Sequence, residues 1–262
     1  MSIYGFIGTG HMGSAMAKAA SKGGVELLLA NRTVSRAEAL AAEIGGQVVS
    51  NEEVARRADS IFLGVKPQGI DALMDELRPV LLKREEPYTL VSMLAGKTVK
   101  YIRDLAGEDC PVIRLMPNTP VAIGEGMVLY ASDGVAEEAM TGFLEVMKSG
   151  GRFRKMSENL IDAASSVTGC GPAFVDLFIE SLADGAVVCG IPRAQALELA
   201  AQMVAGSAKL LLESGKHPGE LKDAVCSPGG STIEGVKKLE EGAFRASVIN
   251  AVIASCEKNK KL

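Results

Sequence analysis

The first apolar run of the chain, Ile3–Ile7, breaks directly into Gly8-Thr9-Gly10-His11-Met12-Gly13, and a stretch with helical spacing follows over residues 12–21. A strand that turns through three glycines into a helix is the opening of a parallel βαβ unit, and few other folds use it. Each glycine has a task. Gly8 permits the tight turn, Gly10 lets backbone approach a pyrophosphate closely, and Gly13 lets helix and strand pack. The helix start then presents unpaired N–H groups and a partial positive charge to the phosphates. A lone Gly-x-Gly-x-x-Gly is a weak signal. Its place here, after one strand and with a second strand (residues 25–30) ending about twenty residues on, makes it a dinucleotide-binding turn.

Strand and helix continue to alternate. Residues 35–43 read as a helix, 60–65 as a strand, 69–77 as a helix, and 89–93 and Val112–Met116 as strands. A helix over 135–147 and a strand over Gly151–Lys155 complete the series. Strict alternation implies parallel pairing in a doubly wound sheet. After Ser157 the texture changes to helical stretches at 176–189, 193–213, 221–225, 233–240 and 244–257, separated by Gly/Pro punctuation. At 262 residues a two-part plan is expected. The reading is therefore α/β: a Rossmann-type doubly wound domain over residues 1–157, followed by an all-α domain over residues 158–262. The stretch 193–213 carries Ala200, Ala201, Ala205, Gly206, Ser207 and Ala208, small residues that let another helix come close. It is expected to be mostly buried, either within its own bundle or against helices of a second subunit.

Composition removes several classes of function. A net charge of −4 argues against nucleic acid or an anionic membrane as the main partner. No apolar run approaches the roughly 20 residues of a membrane span, and the start shows no basic-then-apolar leader. The cysteines Cys110, Cys170, Cys189, Cys226 and Cys256 are odd in number and widely spaced, which suits reduced thiols in the cytoplasm. With only His11 and His217, neither a His-based triad nor a multi-His metal site is expected.

The end of the second strand discriminates between cofactors. NAD-binding versions place an acidic residue there to accept from the ribose 2′-hydroxyl, whereas this chain has Asn31-Arg32-Thr33. A guanidinium can pair with a 2′-phosphate, so NADP(H) is favoured, with NAD(H) left open. His11 sits at the pyrophosphate end, far from where nicotinamide chemistry happens, and reads as a surface or packing residue of the loop.

Two Gly/Pro-rich turns lead into helices of the second half. Thr168-Gly169-Cys170-Gly171-Pro172 puts a proline where a first helical turn tolerates it. In Ser227-Pro228-Gly229-Gly230-Ser231-Thr232-Ile233-Glu234, Ser231 and Glu234 have capping-box spacing, which predicts a helix starting near Thr232. Either alone is ordinary capping. Together, behind a dinucleotide domain, they suggest a receptor for a small carboxylate.

Met116-Pro117-Asn118-Thr119-Pro120, the turn at 168–172, Leu182-Ala183-Asp184-Gly185, His217-Pro218-Gly219 with Leu221-Lys222-Asp223, and the loop at 227–232 resemble the pyrroline-5-carboxylate reductase family along essentially the whole chain. The resemblance implies reduction of L-1-pyrroline-5-carboxylate, a cyclic imine, to L-proline, the last step of proline biosynthesis. It also implies that the helical domain mediates dimerisation, with the active site built across a subunit interface in a homodimer, and decamers in some members. Carried over by position, cofactor contacts fall on Gly8, Thr9, Gly10, His11, Met12, Gly13, Asn31, Arg32, Asn51, Val65, Lys66, Pro67, Ala95 and Gly96. Substrate contacts fall on Glu158, Gly230, Ser231 and Thr232, with Met116 and Asn118 nearby. Thr232 is the candidate catalytic residue, its hydroxyl meeting the ring nitrogen. Ala224 stands where some relatives have an asparagine reaching the cofactor.

Two rival readings are weaker. The β-hydroxyacid dehydrogenases need a lysine and an asparagine after a second Gly-x-Gly, and this chain has Val175 and Ile179 there. A protein that only senses NADP(H) would have no need of the pocket at 227–232.

Overall fold

The computed structural model describes residues 1–107 and 109–261. Their contacts separate into two compact units, residues 1–169 together with the segment from Ser255 on, and Cys170–Ala254.

The first unit is a sheet of eight strands among the described residues, in the order β3-β2-β1-β4-β5-β6-β7-β8. The strands are β1 (Ile3–Ile7), β2 (Glu26–Ala30), β3 (Gln47–Val48), β4 (Ser60–Leu63), β5 (Thr89–Ser92), β6 (Val112–Met116), β7 (Gly126–Asp133) and β8 (Gly151–Lys155). Helices α1 (His11–Ser21), α2 (Val34–Ile44), α3 (Asn51–Arg57), α4 (Ile70–Leu81), α5 (Val99–Ala106), α6 (Glu137–Met147) and α7 (Glu158–Thr168) belong to the same unit. The central strands are buried on both faces, so they read as continuous apolar runs. Their side chains still alternate. Phe6, Leu29, Phe62 and Val91 join one core with Met16 and Phe143, and Phe6 stacks on Phe62 at 4.2 Å. Ile7, Leu28, Leu63 and Leu90 join another with Ile70, Leu77 and Ile102.

The sheet is not uniformly parallel, as strict alternation predicted. β7 runs antiparallel to β6, with Met116 opposite Leu129. The link between them, residues 117–125, is shorter than the dozen or so residues of a parallel crossover and holds only a 3₁₀ turn over Thr119–Ile123. The sequence reading also passed over β3, β7, α3, α5 and α7. α3 and α5 are short and begin at local caps, where Ser50 accepts from the Glu53 N–H and Thr98 from the Tyr101 N–H.

The second unit holds α8 (Gly171–Val188), α9 (Arg193–Ser214), α10 (Pro218–Ala224), α11 (Ser231–Glu241) and most of α12 (Phe244–Asn259). α8 and α9 pack as a hairpin around Gly190-Ile191-Pro192, and Phe178 meets Phe244 at 5.7 Å. α9 is not mostly buried in the single chain. Only Ala196 and Ala200 are buried along it, while Leu199, Leu210 and Leu212 are more than half exposed. Among the described residues no helix is long and apolar enough to cross a membrane.

Candidate active site

β1 and β4 are neighbours from which the chain departs in opposite directions across the sheet, so a crevice opens beyond their carboxyl ends. Gly8 follows β1 with a φ of +100°, a conformation that favours glycine, and its N–H donates to the Ala30 carbonyl at 2.8 Å. A β-carbon on Gly8 would lie 2.6 Å from the Gly64 carbonyl, so the turns after β1 and β4 are in backbone contact. Sequence reasoning missed Gly64; its only signal is a glycine directly after a strand. A β-carbon on Gly13 would lie 2.0 Å from the Gly8 oxygen, which gives that residue its packing role.

Gly10 is different. It caps α1, and a β-carbon there would meet nothing within 4 Å. The first turn of α1 has neither a side-chain cap nor an acidic residue. Open space over uncapped N–H groups fits a phosphate. The cavity beside it, about 420 Å³, is lined by Thr9, Gly10, His11, Ser14, Lys18 and Arg36 among others. The Thr9 hydroxyl is buried with no hydrogen-bond partner among the described residues. Lys18 already pairs with Glu43 at 2.6 Å. Arg36, which sequence reasoning did not single out, adds a cation from the first turns of α2.

Asn31 locks the turn to β2. Its Oδ1 accepts from the Thr9 N–H at 3.1 Å, and its Nδ2 donates to the Thr33 carbonyl at 2.9 Å. Arg32 is exposed beside it. Val65, Lys66 and Pro67 follow β4, with Pro67 opening a 3₁₀ turn, and Ala95 and Gly96 follow β5, so both segments lie beyond carboxyl ends of parallel strands. Asn51 opens α3 and donates to Glu76 at 3.3 Å. The residues present therefore fit a dinucleotide.

Two expected substrate contacts make hydrogen bonds within the protein. The Glu158 carboxylate accepts from the Val99 N–H at 2.6 Å and lies 3.4 Å from the Arg114 guanidinium. Asn118, buried after β6, accepts from the Met127 N–H at 2.9 Å and donates to the Thr168 carbonyl at 3.0 Å. Met116 ends β6 half-buried. Arg114 on β6, 1% exposed, also pairs with Asp162 at 2.6 Å; sequence reasoning passed it over because its neighbours are apolar.

In the second unit, Gly230 caps α11, and the helix begins at Ser231, one residue earlier than expected. Ser231 is therefore inside the first turn and makes no capping-box bond with Glu234. A β-carbon on Gly230 would meet the Ser227 hydroxyl at 2.5 Å, so the loop closes on itself. The first-turn amides of Ser231 and Thr232 carry no side-chain cap, and both residues are exposed. The capping box occurs instead at α10, where His217 Nδ1 accepts from the Gly219 N–H and Glu220 accepts from the His217 N–H.

The profile described as pyrroline-5-carboxylate reductase dimerisation matches residues 158–262, and one described as NADP oxidoreductase, coenzyme F420-dependent, matches residues 3–96. The pyrroline-5-carboxylate reductase of Pisum sativum is 40% identical over 98% of this chain and 95% of its own length. Two solved structures match over nearly the whole of both chains. The pyrroline carboxylate reductase of Plasmodium falciparum with NADP bound is 32% identical, covers 100% and 99% of the two chains, and has a TM-score of 0.86. The 1-pyrroline-5-carboxylate reductase of Streptococcus pyogenes is 31% identical, covers 99% and 98%, and has a TM-score of 0.89. The Rossmann-type unit, the helices that match the dimerisation profile and the full-length similarity to these relatives show that the chain belongs to the pyrroline-5-carboxylate reductase family.

Proposed function

We propose that the chain reduces L-1-pyrroline-5-carboxylate to L-proline with NADPH as the preferred donor, using Thr232 as the group that meets the substrate nitrogen. The observation that carries this reading is the pair of uncapped helix starts in a family member, one over Gly10 and one at Ser231-Thr232. Residues 8–13 hold the pyrophosphate, Asn31 fixes that loop, and Asn51, residues 65–67 and residues 95–96 complete the cofactor contacts. Arg32 meets the 2′-phosphate, with Arg36 adding charge. NADH is used less well.

Reduced nicotinamide, when bound, supplies the hydride. The protein's part is orientation. Backbone N–H groups of Gly230, Ser231 and Thr232 fix the carboxylate, and the Thr232 hydroxyl hydrogen-bonds the ring nitrogen. A protonated imine is already electrophilic, so holding it in place does most of the work and no strong general acid is required. Glu158 and Asn118 supply further substrate contacts, each oriented by hydrogen bonds within the protein.

The exposed leucines of α9, and a matching profile that is itself named for dimerisation, support a homodimer; a decamer is the higher form to look for by light scattering. A cytoplasmic location agrees with the unpaired cysteines. The test is pyrroline-5-carboxylate-dependent loss of reduced-cofactor absorbance, run with NADPH and NADH. Thr232→Ala should lower kcat by about tenfold, the size of one lost hydrogen bond in the transition state. Unaltered kinetics in that variant would remove Thr232 from the mechanism.

A further inference from the structure

The sheet unit has a second crevice, at the edge opposite the cofactor turn. A cavity of about 520 Å³ opens at the amino-terminal ends of β1, β4, β5 and β6, with α6 as its outer wall. Its size falls within the roughly 300–1,000 Å³ of small-molecule pockets. Every residue that lines it belongs to the sheet unit. Tyr4 in its floor and Gly8 at the cofactor turn are four residues of extended chain apart, about 13 Å.

The cavity has its cause in the sequence. Because β7 runs antiparallel to β6, it returns the chain to the amino-terminal edge at Gly134, and α6 starts from there. α6 is anchored by Phe143, buried and stacked on Tyr4 with ring centroids 6.1 Å apart. The other positions it turns to the cavity include Ala136, Ala139 and Gly142, too small to close over the strand ends. A β-carbon on Gly142 would meet nothing within 4 Å, so no close packing requires a glycine that is unfavourable to the helix itself. The floor is left as aromatic and apolar surface. Polar groups are few. Ser60 is buried and hydrogen-bonded to the Tyr4 phenol, so these two satisfy one another. Asp59 is the one charged residue lining the cavity among the described residues. Its Oδ2 accepts from the Ile3 N–H at 2.8 Å, which orients an exposed carboxylate. The Arg84 guanidinium is near enough to act on Asp59, yet its Nη1 is committed to the Ala55 and Ala58 carbonyls at 2.9 and 2.7 Å.

We propose that this cavity is a second ligand site and takes a small aromatic ammonium ion. The ring lies on Tyr4 and Phe143 beside Gly142, and the ammonium group pairs with Asp59. An apolar floor fixes the body of such a ligand, and the single carboxylate selects a positive head over a negative or neutral one. The site is independent of the reaction proposed above and of the helical unit.

The test titrates the full, isotope-labelled chain with phenethylammonium and, separately, with phenethyl alcohol, which keeps the ring and loses the charge. The ammonium should bind with a Kd at or below about 1 mM and shift the amide resonances of Tyr88, Ala139 and Gly142. The alcohol should bind at least about fivefold more weakly. Asp59→Asn keeps an acceptor for the Ile3 N–H and should bring the Kd of the ammonium up to that of the alcohol. Gly142→Leu puts a side chain into the open space and should weaken both probes at least about tenfold. Leucine is the better helix former, so this variant should fold as well as the wild type; if it does not, Ala139→Leu, one turn earlier, makes the same comparison. Saturating NADPH should leave the Kd of the ammonium within about twofold. Competition with NADPH would move the probe to the cofactor crevice and overturn the proposal. Equal affinity for the two probes, or binding that neither Asp59→Asn nor the leucine variants weaken, would overturn it as well.

Discussion

Gly10 and Gly13 sit three residues apart in the same turn, and the structure predicts that only one of them can be replaced by alanine without loss of stability. At Gly10 the backbone is extended, with φ −73° and ψ −172°, which alanine adopts freely, and an added β-carbon meets nothing within 4 Å. Reduced freedom of the unfolded chain should stabilise Gly10→Ala by about 0.4–1 kcal/mol, and the poorer helix cap should take back about half a kcal/mol. The melting temperature should therefore stay within about 3 °C of wild type. The methyl group, however, occupies the opening over the α1 N–H groups where a phosphate would lie. NADPH affinity should fall by at least about tenfold, or 1.4 kcal/mol. At Gly13 the β-carbon would sit 2.0 Å from the Gly8 oxygen, and more than an ångström of movement is needed to relieve that. Overpacking costs about 1–3 kcal/mol, against a gain of about 1 kcal/mol in helix propensity. Gly13→Ala should thus melt lower by up to about 6 °C and also bind NADPH weakly. Calorimetric titration with NADPH beside thermal melts of all three proteins makes the comparison. Gly10→Ala that binds NADPH as wild type does would refute the placement of the pyrophosphate.

Three further outcomes follow from particular contacts. Arg32→Ala should raise the NADPH KM about tenfold and leave the NADH KM within about twofold, since only the former carries a 2′-phosphate; parallel changes in both would move the phosphate contact elsewhere, with Arg36→Ala the next variant to measure. Arg114→Leu should cost about 1–3 kcal/mol in urea unfolding, less than a fully buried broken pair, because Glu158 and Asp162 each keep about a third of their side chains in water; no loss would mean the guanidinium is dispensable. Burial pushes the Tyr4 phenol up to about 12 from 10, so the unfolded chain ionises first, and stability held below pH 10 should fall by up to roughly 3 kcal/mol as pH rises towards 12; an identical fall in Tyr4→Phe would assign the effect elsewhere.

The sheet's carboxyl edge was legible in the sequence because its determinants are local. Ile3–Ile7 and Gly8 through Gly13 carry strand, turn and helix start in consecutive residues, and apolar runs locate β4, β5 and β6 within a residue or two. What stayed hidden depends on partners distant in sequence. β7 takes its direction from a link too short to cross over, and α7 takes its place from Arg114, Asn118 and Asn259, up to 97 residues away. Arg114 is invisible to hydrophobic patterning because a strand position with a charged residue reads as exposed, and its burial depends on Asp162 and Glu158. For the site, motif position found Gly230, Ser231 and Thr232, but capping-box spacing misplaced the helix start by one residue, since Gly230 rather than Ser231 takes the cap. Glu158 and Asn118 were carried over from the family resemblance, and their hydrogen bonds to the Val99 and Met127 N–H groups and the Thr168 carbonyl depend on partners distant in sequence.

Direct transfer from nicotinamide to an imine carbon that the protein holds in place is the step most open to test. NADPH deuterated at the transferable C4 position, incubated with the enzyme and pyrroline-5-carboxylate, should yield L-proline labelled at its δ-carbon, one deuterium per molecule. Proline formed without the label, or label appearing in solvent, would contradict it.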